Sequence, residues 1–395
     1  MAQHYDYLIV GGGMTADAAV QGIREGDSSG SIGLLCAEPD PPYDRPPLTK
    51  GLWKDQKEES IWRKTAERNA DLHFGHRAQV LDLGRSQVTD DHGDSFTFDK
   101  LLLATGGSPR QLPFGGSDIL YYRSFRDYKR LRARTEKGRR FAVIGGGFIG
   151  SEIAAALALN HKEVVMLFPG QSIGDRIFPR DLSLFLNDFY RQKGVQVLPG
   201  QKPSGLEKQG DQFVLRTESR DEFAVDGVIA GLGIEPNVSL AESAGLPVEN
   251  GIVVDEFLRT SHPDIYAAGD VAAFYNPALS RRLRVEHEDN ANTMGRCAGR
   301  NMAGKPEAYV HLPFFYSDLF ELGYEAVGDT DARLTTVADW KTPFREGVVY
   351  YQQEDKIRGV LLWNVWGKVD AARHLIESNR PFQRQELTKQ LLEAA

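Results

Sequence analysis

The chain carries one glycine fingerprint twice: Gly11-Gly12-Gly13-Met14-Thr15-Ala16 near its start, and Gly145-Gly146-Gly147-Phe148-Ile149-Gly150 further along. Each run follows a short apolar segment, Tyr7 to Val10 and Phe141 to Ile144, and opens an alanine-rich stretch. A strand, a tight turn and a helix are expected at both places. In this motif the first glycine makes the turn, the second admits backbone close to a pyrophosphate, and the third lets the helix pack against its strand. The N–H groups and dipole at the helix start then hold negative charge. A single match says little, but two in the same context predict two dinucleotide sites on a doubly wound α/β scaffold.

The rest of the pattern extends this scaffold. A strand at Ile32 to Cys36 leads to Glu38, an acid suited to accept hydrogen bonds from an adenosine ribose. The stretch Pro41 to Lys50 has too many prolines for a helix to begin before Leu48, which puts its cations on a rigid turn. The strand Lys100 to Ala104 ends in Ala104-Thr105-Gly106-Gly107, where small residues permit close approach of a ligand or a crossing chain. Beyond the second fingerprint, the strand Val164 to Phe168 ends in Phe168-Pro169-Gly170 without an acid. Discrimination between a plain and a 2'-phosphorylated ribose is therefore open there, and Arg176 is near enough in sequence to meet a 2'-phosphate.

Strands at Val225 to Gly233, Gly251 to Val254 and Ile265 to Asp270 follow, the last returning the chain to its first domain. From about His311, clustered aromatics, two short strands (Gly347 to Gln352, Arg358 to Trp363) and a final pair of helices suggest an α+β domain. The expected division is a discontinuous first nucleotide domain (1–120 and 247–310), a second inserted in it (121–246), and a C-terminal domain (311–395).

At 395 residues the chain is long enough for two or three cores. A net charge of -8 argues against nonspecific nucleic-acid binding, which relies on Lys and Arg at phosphates. The basic runs Lys137 to Arg140 and Arg281 to Arg284 read as solvated faces. No apolar run approaches the roughly 20 residues of a membrane span, and the chain enters its first strand almost at once, so a cytoplasmic location is expected. Cys36 and Cys297 are far apart in sequence and belong to no C-x-x-C pair. Thiol relay through a closely spaced pair is excluded, and both are expected to be buried and inert.

Together with Arg45-Pro46-Pro47-Leu48-Thr49-Lys50, Ala104-Thr105-Gly106-Gly107 and Ala268-Gly269-Asp270, the two fingerprints resemble flavin-dependent pyridine-nucleotide oxidoreductases of the ferredoxin-reductase-like type, with a glutathione-reductase-like fold. Val285-Glu286-His287-Glu288-Asp289, Phe315-Tyr316-Ser317-Asp318-Leu319, Gly323 to Gly328 and Leu362-Trp363-Asn364 narrow the resemblance to the apoptosis-inducing factor family. These matches span nearly the whole chain in order.

The resemblance implies FAD on the first domain and NAD(H) on the second. FAD would lie on Gly11, Gly12, Gly13, Met14, Thr15 and Ala16, with Glu38 on the ribose and Ala78 offering backbone to the adenine. Arg45, Lys50 and Arg123 would contact the flavin or its phosphates, and Asp270 the ribityl and pyrophosphate region. His287, Glu288 and Tyr316 would lie near the flavin ring. For NADH the matching positions are Gly146, Gly147, Phe148, Ile149, Gly233, Glu286, Glu325 and Asn364, with Phe148 a gate or stacking partner for nicotinamide. The match also pairs Lys50 with Glu152. A lysine held by a carboxylate in a water-poor site can offset charge on reduced flavin and manage a proton, so Lys50, Glu152, Phe148 and His287 are the catalytic candidates. Tyr316 stands where a close family member has tryptophan, and the long insertion of the animal protein is absent, which argues against an animal-type nuclear death role.

Three functions follow from the resemblance. The first is slow transfer of hydride from NADH to FAD, with a charge-transfer complex and electrons passed to an external quinone, oxygen or dye. The second is a ferredoxin or rubredoxin reductase, with Arg281, Arg282 and Arg284 as a docking patch. The third is an NADH-sensing scaffold whose homodimerisation or partner binding changes on reduction.

Overall fold

The computed structural model describes residues 2–388 and 390–392. The chain gathers into two compact units. The first comprises Met1–Arg45, Lys57–Ser108 and Glu235–Pro313, and the second Pro46–Gln56, Pro109–Ile234 and Phe314–Ala395.

The first unit is built on a parallel sheet ordered Ala70–Phe74, Ile32–Cys36, Gln3–Val10, Ser95–Leu103 and Ile265–Ala267. Central strands such as Ile32–Cys36 are buried along their whole length, which explains their unbroken apolar sequence. Val10 pairs with both Leu35 and Leu103, so the first strand delivers Gly11 to the carboxyl end of the sheet. Ser95–Leu103 is longer than the expected strand because its first half pairs antiparallel with Gln87–Asp90.

Helices Met14–Gly26 and Glu288–Met302 cross with almost no side chain between them. A Cβ on Gly22 would lie 2.1 Å from Arg296 O, and one on Gly299 would lie 2.1 Å from Ala19 O. The small residues around Cys297 thus let two backbones touch, and Cys297 is buried beside them.

The second unit repeats the parallel architecture in the order Val195–Pro199, Glu163–Phe168, Arg140–Ile144, Gly227–Ala230 and Ile119–Tyr121. The expected strand Val225 to Gly233 is divided. Val225 closes the antiparallel strand Glu222–Val225, and Gly227–Ala230 alone enters the parallel sheet. The break falls at Asp226, whose carboxylate accepts the N–H groups of Arg139 and Arg140 at 2.7 and 2.9 Å. The segment Pro203 to Val225 folds as a three-stranded antiparallel sheet.

The C-terminal part holds five antiparallel strands in the order Phe314–Leu319, Leu322–Gly328, Lys356–Trp363, Glu346–Gln353 and Thr335–Thr342. The proline turn differs from expectation too, since a 3-10 turn already spans Pro46–Leu48 and another Gly51–Trp53. Proline's fixed φ suits a first helical position, which is why Pro46 opens a helical turn. Among the described residues no helix is long and apolar enough to cross a membrane.

Candidate active site

Both fingerprints form the same cradle. Gly11 has φ of +139°, and a Cβ on it would lie 2.2 Å from Ala104 O. Gly145 has φ of +120°, and a Cβ on it would lie 2.3 Å from Gly231 O. The crossing chain foreseen at Ala104 is the fingerprint loop itself, and Gly231 is its counterpart that sequence reasoning passed over. At Gly12 and Gly146 an added Cβ would meet Cys36 Sγ at 2.7 Å and the Phe168 ring at 3.0 Å. Gly13 and Gly147 face open space, and as N-caps of Met14–Gly26 and Phe148–Leu159 they place no side-chain cap on the first N–H groups. Bare helix starts beside open space, in loops where glycine alone fits, suit the phosphates of two dinucleotides.

In the first unit, Glu38 Oε1 accepts from Arg45 Nη2 at 2.5 Å and Oε2 from the Tyr43 hydroxyl at 2.7 Å. Burial works against the Arg45 guanidinium, but Tyr43, Glu38 and Asp270 outweigh it and its pKa is raised. Ala78 opens the strand Ala78–Asp82 just after Gly75 and His76, whose N–H groups bond to Glu38 O and Cys36 O. The segment leading into Ala78 is thus tied to the strand end that carries Glu38. Asp270 follows Gly269, where a Cβ would lie 2.3 Å from Thr15 Oγ1, so it is carried to the start of the fingerprint helix that holds Thr15 and Ala16. His287 caps Glu288–Met302 and Glu288 lies in its first turn, while Glu286 pairs with Arg284 at 2.7 Å.

Sequence reading missed Asp17, which is buried in the first turn of Met14–Gly26 and held by Arg63, Arg68, Thr65 and Gln21. Arg63 also binds Asp44 at 2.6 Å and Asn292 at 2.8 Å, anchoring the proline turn that carries Arg45. The signal was an acid inside an alanine helix.

The second unit brings Lys50, Glu152 and Tyr316 together. Glu152 is 4% exposed. Its Oε1 accepts from Lys50 Nζ at 2.7 Å and from Ser317 Oγ at 2.5 Å, and its Oε2 from Thr49 Oγ1 at 2.5 Å. Lys50 Nζ lies 5.2 Å from the centre of the Tyr316 ring. Burial first, and Glu152's charge second, push the phenols of Tyr190 and Tyr324 well above their ordinary range. The pair borders a crevice lined by Thr49, Lys50, Lys54, Glu152, Asp318 and Phe320.

Phe148 is half-buried, packing edge-on against Phe315 at 5.1 Å. Ile149 follows it, and Arg123 immediately precedes the Ser124 cap of Phe125–Lys137. Tyr316 pairs across the sheet with Glu325, whose pKa is raised by burial. Asn364 has φ of +50° and is tied to Gly323 and Arg345 by its side chain. Gly233 has φ of +80° and lies outside the parallel strand. Thr49 and Ser317 were missed, although both lie in runs singled out for other residues.

Both thiols are buried and protonated. Burial, then Glu38, pushes Cys36 up to about 12, and burial, then Glu307, pushes Cys297 up to about 11.

The sequence signature of the pyridine nucleotide-disulphide oxidoreductases matches residues 5–295. The chain belongs to that family. The C-terminal signature of mitochondrion-associated apoptosis-inducing factor matches residues 298–343 and 338–378. The chain is similar to apoptosis-inducing factor 1, mitochondrial, of Dictyostelium discoideum, with 33% identity covering 96% of this chain and 80% of that protein. It is similar as well to the ferredoxin–NAD(+) reductase component of the Burkholderia cepacia anthranilate 1,2-dioxygenase system, with 31% identity covering 96% of each. A chain in the crystal structure of the covalent putidaredoxin reductase–putidaredoxin complex matches with TM-score 0.91 and 30% identity, covering 96% of this chain and 95% of that one. As a member of the pyridine nucleotide-disulphide oxidoreductases, apoptosis-inducing-factor-like and ferredoxin-reductase-like, the protein is an FAD-dependent NAD(P)H oxidoreductase.

Proposed function

We propose that the protein takes reducing equivalents from NADH and gives them to a small-molecule acceptor outside the chain, a quinone or oxygen. When bound, FAD supplies the two-electron uptake from reduced nicotinamide and the release to an acceptor. The observation that carries this reading is the buried Lys50–Glu152 pair with Thr49 and Ser317 closing the carboxylate. Glu152, held by two hydroxyls, fixes the Lys50 ammonium in a water-poor place, where a cation offsets developing negative charge and hands over or retains a proton at Nζ. On the first fingerprint Glu38 would hold the adenosine ribose of FAD and Arg45, tied to Glu38, would meet the flavin or its phosphates, while Phe148 opens the second nucleotide helix with its ring against Phe315. Since both cysteines are isolated, buried and protonated, electrons have no internal disulfide to reach.

A small iron–sulfur protein is the second reading, favoured by the relatives named as ferredoxin reductases. The arginine run offers it little. Arg284 pairs with Glu286, and Arg282 donates to Val254 O and Ala273 O and lies 3.9 Å from Glu249. An anaerobic NADH titration of the FAD-loaded protein should bleach the flavin band. Reoxidation by a quinone at rates above those with a [2Fe-2S] ferredoxin supports the first reading, and the reverse order replaces it with the second.

A further inference from the structure

The strand Glu163–Phe168 is the second strand of the second fingerprint, where an acid that accepts from the ribose hydroxyls is expected, yet it runs into Pro169 and Gly170. The structure nevertheless supplies a carboxylate at that strand end. A Cβ on Gly170 would lie 2.1 Å from Asp175 Oδ2, so the Asp175 carboxylate occupies the volume in which a side chain at 170 would begin. The same oxygen accepts from Gln171 N at 3.1 Å.

The loop that carries Asp175 is fixed to the fingerprint. Gly174 N donates to Gly146 O at 2.9 Å, and Gly200 N to Gly170 O at 2.8 Å. Buried Asn187 accepts from Ile173 N at 3.0 Å and donates to Gln171 O at 3.0 Å, while buried Ser183 donates to Ile173 O at 2.7 Å. Two side chains of the helix Arg180–Gln192 therefore set where Asp175 stands.

We propose that Asp175 replaces the acid missing from the end of this strand and makes the site select a ribose with a free 2'-hydroxyl over a 2'-phosphorylated one. This rests on the reading of the second fingerprint as the pyridine-nucleotide site. A carboxylate accepts from vicinal hydroxyls but repels a phosphate placed against it, so one residue both attracts the first ligand and rejects the second. Arg176, exposed and next in the chain, is the opposing cation. Its backbone carbonyl accepts from Ala332 N at 2.9 Å.

The test is calorimetric titration of the FAD-loaded, full-length protein with NAD+ and NADP+, which measures binding without turnover. The wild type should bind NAD+ at least about tenfold more tightly. Asp175→Asn, which keeps an acceptor for Gln171 N–H, should bring the two dissociation constants to within about threefold. Gly170→Glu combined with Asp175→Ala should restore the preference. Equal affinities in the wild type, or an unchanged ratio in a folded Asp175→Asn protein, would overturn the assignment of Asp175 while leaving the nucleotide site intact. Failure of the wild type to bind either nucleotide overturns the site reading and this inference together.

Discussion

Lys50 and Glu152, 102 positions apart in the chain, meet at 2.7 Å with the carboxylate side chain 4% exposed and the lysine 12%. A buried carboxylate is tolerated because its oxygens accept from Lys50, Thr49 and Ser317. Glu152→Gln keeps the acceptor but removes the charge that fixes the ammonium. Stopped-flow bleaching of flavin by NADH should slow by roughly 10- to 100-fold at unchanged FAD content. An unaltered rate would reduce the pair to a packing feature.

Glu38 is bound by both Arg45 and Tyr43, so its loss disturbs the whole strand end. Glu38→Ala should lower the FAD-to-protein absorbance ratio after exhaustive dialysis several-fold, since a charge-assisted contact is worth about 1.5–3 kcal/mol. Equal occupancy would remove Glu38 from the ribose assignment.

Glycines of one fingerprint should respond in opposite ways. Gly145→Ala places a methyl 2.3 Å from Gly231 O on a residue with φ of +120°, and should cost about 2–3 kcal/mol in urea unfolding. Gly147→Ala meets nothing within 4 Å, so stability should hold while NAD+ affinity falls. Equal destabilisation by both would contradict the cradle geometry.

The thiols make an alkaline prediction. Their folded values of about 12 and about 11 lie above the ordinary value near 8.5, so the folded state favours the protonated form. Their contribution to stability is full below about pH 8.5 and is lost as pH climbs towards 11–12. Native protein should resist Ellman's reagent at pH 8 and react fully in denaturant. Rapid labelling of the native state at pH 8 would refute the burial of both groups.

The glycine loops were legible because their constraints are local: a turn, a close backbone, a helix start. Strand Ile32–Cys36 was read to its exact ends because burial on both faces leaves an unbroken apolar run. Lys50 and Glu152 could be paired only through family resemblance, since nothing local links a proline turn to a distant helix. Ser317, 165 positions from Glu152, carried no signal beyond being a small polar residue on an aromatic strand. Leu322–Gly328, noticed only as part of a family motif, was not read as a strand because its mostly buried sequence lacks strand alternation. Asp175 escaped because its carboxylate reaches the strand end by a folded-back loop.

The crossing of Met14–Gly26 with Glu288–Met302 joins the beginning of the chain to a helix roughly 270 residues later. A ribosome adding about 5–20 residues per second takes tens of seconds to make that partner. During synthesis the face of the first fingerprint helix that meets Glu288–Met302 therefore stays uncovered until that partner has emerged, so this close backbone contact forms late.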